Sequence, residues 1–289
     1  MLKSTYTLMG IVNATPDSFY DGGRYRTVDA AVAHGVRLTA EGADILDIGG
    51  ASSRPGAAEV DCAEELERVV PVIRRLSREV ACPISVDTTS TRVACAALDA
   101  GATWVNDISA GRHDNAMPAL VAKRGCTIVL MHSRATPQTM QQHTEYGNVV
   151  EEVKGELATS IATFLAAGVS TDRIVIDPGI GFAKTASQNV ALLAGLEAFV
   201  PLGYPVLVGT SRKAFIGHLI DRNYPAGAES RLHGSLGSVA SAFLRGARIF
   251  RIHDVAATRD FFSVFAAIEQ HQPICSPKEI TIDGQGDPA

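Results

Sequence analysis

Two carboxylates and a group of donor side chains are the residues of this sequence best suited to bind a small polar molecule. Asp87 and Asp177 each end a short apolar run, and a buried carboxylate needs a partner that donates hydrogen bonds. One chemically sensible partner is a flat heterocycle with a guanidine-like edge of N–H groups. Arg251, His253 and Asn13 combine cationic groups with an amide, which suits a phosphate. Residue chemistry alone therefore predicts a site for a polar heterocycle joined to a phosphate or diphosphate.

The elements that must position these residues are short apolar runs, which we interpret as β-strands. Six of the runs come soon after a glycine that ends a helical pattern: Gly42, Gly101, Gly125, Gly168, Gly203 and Gly246. Glycine adopts the left-handed conformation at a helix end at low steric cost, so each one predicts a helix-to-strand junction. Two further strands, TLMGIVN and PISVDT, lack this lead-in and bring the total to eight.

Helical patterns separate the strands. Asp61 and Glu64 resemble a capping box in front of an apolar stripe. Other stripes run from Val149 in steps of four to Leu165, and from Leu232 to Leu244.

Continuous apolar strands that alternate with amphipathic helices predict a parallel sheet covered by helices. Eight such units favour an α/β fold of the (β/α)₈ TIM-barrel type, as a single domain over residues 1–272. An open doubly wound sheet is the alternative, and the lack of GxGxxG after the first strand disfavours it. Residues 273–289 are polar and predict a flexible C-terminal tail.

Barrel enzymes carry their chemistry on the loops that follow the strands. The first two of these loops, NATPDSFYDGGRY and ASSRPGAAE, are rich in Gly, Ser, Pro and Asp, and each offers one obvious contact residue, Phe19 and Arg54. We expect them to act as lids over the barrel mouth, with ordinary surface loops as the alternative.

Composition narrows the class of protein. A formal net charge of −5 provides no basic field for a nucleic-acid backbone, so no nucleic-acid partner is expected. Five cysteines, odd in number and without a CxxC pair, predict reduced thiols in a cytosol. The amino end has too short an apolar run for a signal peptide, and no stretch is long enough for a membrane span. We therefore expect a cytoplasmic protein without membrane contact.

Seven segments resemble, in order, the signature segments of the dihydropteroate synthase family. They are MGIVNATPDSFYDGG, DIGGASSRPGA, ISVDT, VNDIS, IDPGIGFAKT, VGTSRKAFIG and RIHDV, and they extend from residue 9 to residue 255. The resemblance implies the condensation of 6-hydroxymethyl-7,8-dihydropterin diphosphate with p-aminobenzoate in folate biosynthesis, giving 7,8-dihydropteroate and diphosphate. It also implies Mg²⁺ as cofactor and, with the apolar last helices (Phe243, Phe261, Phe262, Phe265), a homodimer.

The same resemblance assigns roles to residues by motif. The implied pterin site consists of Asp87, Asn106, Met131, Asp177, Gly209 and Lys213. The implied diphosphate site consists of Asn13, Arg54, Arg251 and His253, with Asn13 also a Mg²⁺ ligand. Phe19, Ser53, Arg54, Pro55, Phe182 and Ser211 match positions that frame p-aminobenzoate. The implied catalytic set is Asp87, Lys213, Arg251, Asp21 and Arg54, the last two pairing when the lids close.

The implied chemistry needs no Ser or Cys nucleophile, because the arylamine is itself nucleophilic. Diphosphate leaves once Mg²⁺ and Arg251 neutralise it. A carboxylate at Asp87 stabilises the pterin cation left behind, and closed lids keep out the water that would capture it.

The sequence departs from the family pattern mainly in the lids and on the arylamine side. Ala51 stands where Glu is common, Ser53 where Thr is common and Ala183 where Gly is usual. The segment MHSRATPQTM after the fifth strand also differs from the commonest sequence of the family. Pterin recognition is therefore expected more firmly than the identity of the arylamine. Two alternatives stay open: a methyltetrahydrofolate–corrinoid methyltransferase, which is not expected to keep SSRPG, the SRK lysine or RIHD, and a non-catalytic pterin-binding paralogue with altered lids.

Overall fold

Eight parallel strands, hydrogen-bonded to one another in chain order, close into a barrel. The structure is a computed structural model, and it describes residues 6–15, 24–52, 56–220 and 231–269. The strands are β1 (Thr7–Asn13), β2 (Ile45–Gly49), β3 (Ile84–Asp87), β4 (Trp104–Asp107), β5 (Thr127–Met131), β6 (Ile174–Asp177), β7 (Val206–Val208) and β8 (Ala247–Ile252). The prediction of a TIM barrel is confirmed, and the doubly wound alternative is wrong because β8 pairs with β1.

Helices connect successive strands and surround the barrel. They are α1 (Arg24–Ala40), α2 (Cys62–Glu79), α3 (Thr91–Ala100), α4 (Met117–Arg124), α5 (Val149–Ala166), α6 (Ala186–Ala194), α7 (Ala214–Ile220), α8 (Leu232–Leu244) and α9 (Val255–Glu269). Short 3₁₀ turns at Met140–Gln142, Thr171–Arg173 and Leu196–Leu202 complete the connections. Within the described ranges, no helix is both long and apolar enough to cross a bilayer.

The glycines that predicted the helix-to-strand junctions have the required backbone. All six adopt positive φ, between +62° and +118°. Gly101, for example, ends α3 in the left-handed conformation, and its N–H caps the carbonyls of Ala97 and Leu98. A residue with a side chain is strained at such a φ, so the glycine pattern located these strand starts for a physical reason.

Three details of the helices differ from the sequence prediction. Asp61 caps α2 by accepting from the N–H groups of Ala63 and Glu64, but the Glu64 side chain bonds Arg68 rather than closing a capping box. In α5, Phe164 is fully buried and Leu165 is 36% exposed, because four-residue steps drift round a helix of 3.6 residues per turn. Leu244 at the end of α8 is likewise exposed.

The core has two layers, which follow from the two-residue alternation of β-strands. A large cluster fills the space between the strands and the helices. A smaller cluster lies inside the barrel and consists of Met9, Ile45, Val129, Val175, Leu207 and Ile249, with Trp104 against it. The inner cluster closes the barrel below, so the next inward-facing residues along each strand line its mouth.

Candidate active site

Side chains of a strand alternate between the inside and the outside of the barrel, so each strand contributes one inward-facing residue near its carboxyl end. We call these residues the mouth layer: Asn13, Gly49, Asp87, Asn106, Met131, Asp177, Gly209 and Arg251. Strand pairing aligns four of them directly, since Asn13 is opposite Gly49, which is opposite Asp87, which is opposite Asn106. Seven of the eight were predicted as site residues from the sequence, and Gly49 is the addition.

The two glycines of this layer leave room among the larger side chains. A Cβ on Gly49 would lie 3.7 Å from the Asp87 Cβ. A Cβ on Gly209 would lie 3.7 Å from the Arg251 Cβ and 3.8 Å from the Lys213 Nζ. Any larger side chain at Gly209 would therefore enter the space between the two cations, which gives Gly209 a physical reason to belong to the predicted site.

One half of the mouth is a network of strand-borne side chains, which we call the acid–arginine group: Asp47, Asp87, Asn106 and Arg251. The Arg251 Nε donates to Asp47 Oδ2 at 2.6 Å, and its terminal NH2 donates to Asp87 Oδ2 at 2.7 Å. Asn106 Nδ2 also donates to Asp47 Oδ2, at 3.0 Å. A single guanidinium thus holds two carboxylates from neighbouring strands.

Asp47 is the member of this group that the site prediction missed. Its side chain is fully buried one layer below the mouth, and both of its hydrogen bonds fall on Oδ2. A buried carboxylate is tolerated only when it is paired, and Arg251 supplies the pairing charge. The available signal was a charged residue inside the apolar run of the second strand, ILDIG.

The electrostatics of the group depend on burial and pairing together. Burial raises the pKa of Asp87 to about 7, with Arg251 opposing the shift and Asp47 adding to it. Burial alone would lower the pKa of Arg251, but the two carboxylates outweigh it and the net direction is upward. We expected Asp87 to find its donor in a ligand; instead Arg251 already donates to it, so a ligand adds to an existing pair.

The other half of the mouth is built on β6 and β7, and we call it the lysine group: Asp177, Lys213 and the loop 178–185. Asp177 Oδ1 accepts from the Gly179 N–H at 2.7 Å. Lys213 Nζ donates to the Ile180 carbonyl and lies 4.6 Å from the centroid of the Phe182 ring. Burial lowers the pKa of Lys213 to about 8, with Asp177 opposing the shift. Burial likewise raises the pKa of Asp177, with Lys213 opposing it.

An apolar wall joins the two predicted organic subsites. Met131, Met140, Phe182 and Ala183 form one buried cluster, with Ile108 and Ala135 packed against it. The sequence predicted Met131 near a pterin and Phe182 near an arylamine, and the structure places these two side chains in one cluster.

Two of the four predicted diphosphate residues, Arg251 and His253, lie at the end of β8, whereas Asn13 ends β1 and Arg54 lies outside the described residues. His253 Nδ1 lies 3.1 Å from Ser211 Oγ, and the His253 backbone N–H donates to the same oxygen. Arg212 adopts φ +59° and its Nε donates to Asp254 Oδ2 at 2.9 Å, which ties the two loops together. Ser211, predicted beside the arylamine, therefore also borders the predicted diphosphate residues.

Five of the predicted site residues lie outside the described residues: Phe19, Asp21, Ser53, Arg54 and Pro55. Their roles in the two lids stay predictions. The described part of the second loop contacts the loop after β5, where the Gly56 N–H donates to the Pro137 carbonyl at 3.0 Å.

A cavity of about 440 Å³ has both Asp87 and Pro137 in its lining, and Asp87 is the one residue of the mouth layer, all of which is described, that lines it. Its lining includes Thr88, Ile108, Ser109, Arg112 and Ser133. The volume is in the range typical of small-ligand pockets, and the cavity opens on the same face of the barrel as the mouth layer.

A magnesium site is compatible with the donors present. Among the described residues, no three or more His, Cys, Asp or Glu side chains group together as a metal cage. Mg²⁺ does not need one, because it usually takes one or two protein oxygens together with substrate phosphates and water. The half-buried amide of Asn13, at the carboxyl end of β1, is an oxygen donor of this kind.

Comparison with known proteins shows the family to which the chain belongs. The profile of the pterin binding enzyme family matches residues 9–253. The dihydropteroate synthase of Synechocystis is 44% identical over 266 residues, covering 92% of this chain and 91% of the relative. That of Mycobacterium leprae is 44% identical over 268 residues, covering 90% and 92%.

Two solved structures of the dihydropteroate synthase from Xanthomonas albilineans match the fold closely. One, with 4-aminobenzoic acid, has a TM-score of 0.86 and 47% identity, covering 91% of this chain and 93% of that one. The other, in complex with 7,8-dihydropteroate, has a TM-score of 0.83 and 44% identity, covering 93% and 95%. Family profile, sequence and structure agree, and the chain belongs to the dihydropteroate synthase family of pterin-binding enzymes.

Proposed function

We propose that this chain is a transferase that condenses 6-hydroxymethyl-7,8-dihydropterin diphosphate with p-aminobenzoate, releasing diphosphate and forming 7,8-dihydropteroate for folate biosynthesis. The observation that carries the proposal is the mouth layer, where acceptors for N–H groups (Asn106, Asp177) lie beside cations suited to an anion (Lys213, Arg251). Relatives of this chain hold 4-aminobenzoic acid and 7,8-dihydropteroate, which are one substrate and the product of this reaction.

The pterin is bound by groups whose orientation the protein sets in advance. Asn106 gives its amide N–H to Asp47, which leaves the amide oxygen to accept from the N–H edge of the pterin. Asp177 uses one oxygen for the Gly179 N–H and offers the other to the same edge. Lys213 donates to the ring acceptors, and Met131 packs against the ring face.

The leaving group is stabilised by positive charge at the end of β8. Arg251 remains charged because Asp47 and Asp87 hold it, and with His253 it attracts the diphosphate as negative charge develops on it. When bound, Mg²⁺ supplies further charge neutralisation to the diphosphate, and Asn13 is the residue that would help to hold it. Asp87 lies opposite Asn106 in the mouth layer, where its carboxylate would accept from a pterin N–H group and stabilise the positive charge left on the pterin when diphosphate departs.

The arylamine nitrogen attacks the cationic carbon from the side of Phe182 and Ser211 after the C–O bond to diphosphate has broken, and the released diphosphate takes the proton that the nitrogen loses as the C–N bond forms. Phe182 supplies an apolar surface for its ring, and the predicted lid residues Phe19, Ser53, Arg54 and Pro55 complete the pocket. Pairing of Asp21 with Arg54 closes the two lids, which excludes water from the cationic carbon.

We further propose that the protein works as a homodimer in the cytoplasm. Large apolar side chains on α7–α9 remain exposed: Leu219, Ile220, Leu244, Val264 and Ile268. The phenylalanines that suggested a dimer from sequence pack mainly on one another, with Phe262 fully buried, so the exposed side chains are the better support. The four described cysteines are free thiols, as in reducing compartments.

A diphosphate-release assay tests the function directly. Purified protein is given pterin diphosphate, Mg²⁺ and p-aminobenzoate, and each is omitted in turn. We expect release only with all three, together with stoichiometric dihydropteroate. Release that does not depend on the arylamine would indicate a hydrolase, and no release with everything present would favour the non-catalytic paralogue.

A further inference from the structure

We propose that Lys184 is a positioning residue, whose buried ammonium holds the loop 178–185 in the shape that presents Phe182 to the arylamine and the Ile180 carbonyl to Lys213. The residue lies behind the loop rather than in the mouth, and the sequence singled it out only as part of GFAKT. The inference rests on the proposed function for the identity of the arylamine, but its structural basis is independent of it.

The loop has a backbone that needs outside support. Gly179, Gly181 and Ala183 adopt φ of +70°, +86° and +51°, so every second residue is left-handed. A side chain is disfavoured in that region, and Ala183 nevertheless occupies it while fully buried. Inside the loop, the Phe182 N–H donates to the Gly179 carbonyl at 3.1 Å, and the remaining acceptor capacity of the buried carbonyls must be satisfied from outside the loop backbone.

Lys184 donates to two of these carbonyls and to one side-chain nitrogen. Its Nζ lies 3.0 Å from the Gly179 carbonyl, 2.8 Å from the Phe182 carbonyl and 3.0 Å from His132 Nδ1. Burial lowers the pKa of Lys184 to about 7, with Asp177 opposing the shift. Three acceptors surround Nζ, and this arrangement favours the ammonium form, which has three donors and no acceptor. The side chain is 3% exposed, so these bonds form away from water and are correspondingly strong.

His132 is set up as the third acceptor by its own environment. Burial lowers the pKa of His132 to about 4, which makes the ring neutral near pH 7. Its Nε2 lies 2.9 Å from Glu156 Oε2 and donates to it, so Nδ1 is left to accept from Lys184. Arg134 in turn holds Glu156 at 2.6 Å. The chain of contacts anchors the loop to α5.

The opposite side of the loop is the substrate side. Lys213 binds the Ile180 carbonyl and lies against the Phe182 ring. The loop therefore lies between two lysines, and Lys184 can affect the substrates only by changing the position of the loop. Loss of Lys184 should displace Phe182 first, because the Phe182 carbonyl is one of the three acceptors. None of the three bonds involves the acid–arginine group on β2, β3, β4 and β8.

The test is a Lys184→Met variant, which keeps the length of the side chain and removes its donors. We expect the KM for p-aminobenzoate to rise about tenfold or more and the KM for pterin diphosphate to rise clearly less, because only Asp177 and Lys213 of the pterin residues bond to the loop, whereas the acid–arginine group does not. Lys154→Met, on the exposed face of α5, is the matched control and should change neither constant.

Equal rises in the two KM values, or no rise in either, would overturn the proposal. If Lys184→Met does not fold by circular dichroism, His132→Leu removes one acceptor only and should give a smaller rise of the same selectivity. If the wild-type protein shows no synthase activity, calorimetric binding of 4-aminobenzoic acid, measured with a bare hydroxymethylpterin present, should still weaken in Lys184→Met, which separates this inference from the proposed function.

Discussion

The two halves of the mouth are built in different ways. In the acid–arginine group, side chains on β2, β3, β4 and β8 bond directly to one another, with Arg251 between two carboxylates. In the lysine group, the cations Lys184 and Lys213 bond mainly to backbone carbonyls of one left-handed loop. The first half is thus fixed by strand register and charge, and the second by backbone shape.

The difference predicts how each half fails. A substitution in the acid–arginine group leaves a buried charge without its partner and should act on pterin diphosphate chemistry. A substitution in the loop of the lysine group changes backbone conformation and should act on stability and on the arylamine. The departures from the family pattern at Ala183 and in MHSRATPQTM lie in or beside the second half.

The largest expected effect is that of Arg251→Met. It removes the guanidinium from Asp47 and Asp87 together and takes positive charge from the leaving group, so kcat/KM for pterin diphosphate should fall about 100- to 1,000-fold. Calorimetry should show that affinity for pterin diphosphate falls more than affinity for bare hydroxymethylpterin. Arg248→Met, on the outward face of the same strand over the Phe243 ring, is the control. Equal losses of affinity for the two ligands would contradict the role of Arg251 in binding the diphosphate.

Gly179→Ala should be the most damaging change in the loop of the lysine group. A Cβ at this position would lie 1.9 Å from the His132 carbonyl oxygen, a backbone atom that cannot move aside, and φ is +70°. The free energy of unfolding should fall by about 3 kcal/mol or more, a size reserved for strain at special backbone positions. Chemical denaturation measures it, and Gly155→Ala, on α5 with open space around the position, is the control. A change below about 1 kcal/mol would contradict the account of the loop.

The acid–arginine group should also give the mouth a pH dependence. Because burial raises the pKa of Asp87 to about 7, the carboxyl is increasingly protonated below that pH and loses its capacity to accept from pterin N–H groups. Affinity for hydroxymethylpterin, which carries no titrating phosphate, should therefore fall up to about tenfold per pH unit below 7. Asp87→Asn should bind weakly with a flat profile, and a flat wild-type profile would show that Asp87 does not accept from the ligand.

Ala183→Gly should have the smallest effect on stability. Removing the side chain relieves roughly 1–2 kcal/mol of left-handed strain. It also loses a buried methyl, about 0.8 kcal/mol, and adds chain entropy to the unfolded state, about 0.5–1 kcal/mol. The net change in the free energy of unfolding should stay within about 1 kcal/mol, while the KM for p-aminobenzoate changes measurably. A larger fall in the free energy of unfolding would show that the Ala183 methyl group, rather than Lys184, mainly stabilises the loop.

The same contrast explains how much was predictable from the sequence. The strand ends followed from glycine-capped junctions and apolar runs, so Asn106, Asp177 and Arg251 could be placed at the barrel mouth without a structure, and their individual roles came from the family resemblance. Asp47 was missed because it lies within an apolar strand, one layer below the strand ends. The contact of Lys184 with His132 joins residues 52 positions apart through a left-handed loop, and no local pattern encodes that meeting.

The central claim is that the mouth layer is a pterin diphosphate site, and calorimetry on an Asp177→Asn variant tests it most directly. The substitution keeps the shape of the side chain but replaces one acceptor oxygen by a donor. Affinity for pterin diphosphate should fall about 100-fold, equivalent to about 3 kcal/mol for a lost bond to a charged group, with the circular dichroism spectrum unchanged. Unchanged affinity in a folded variant would contradict the account.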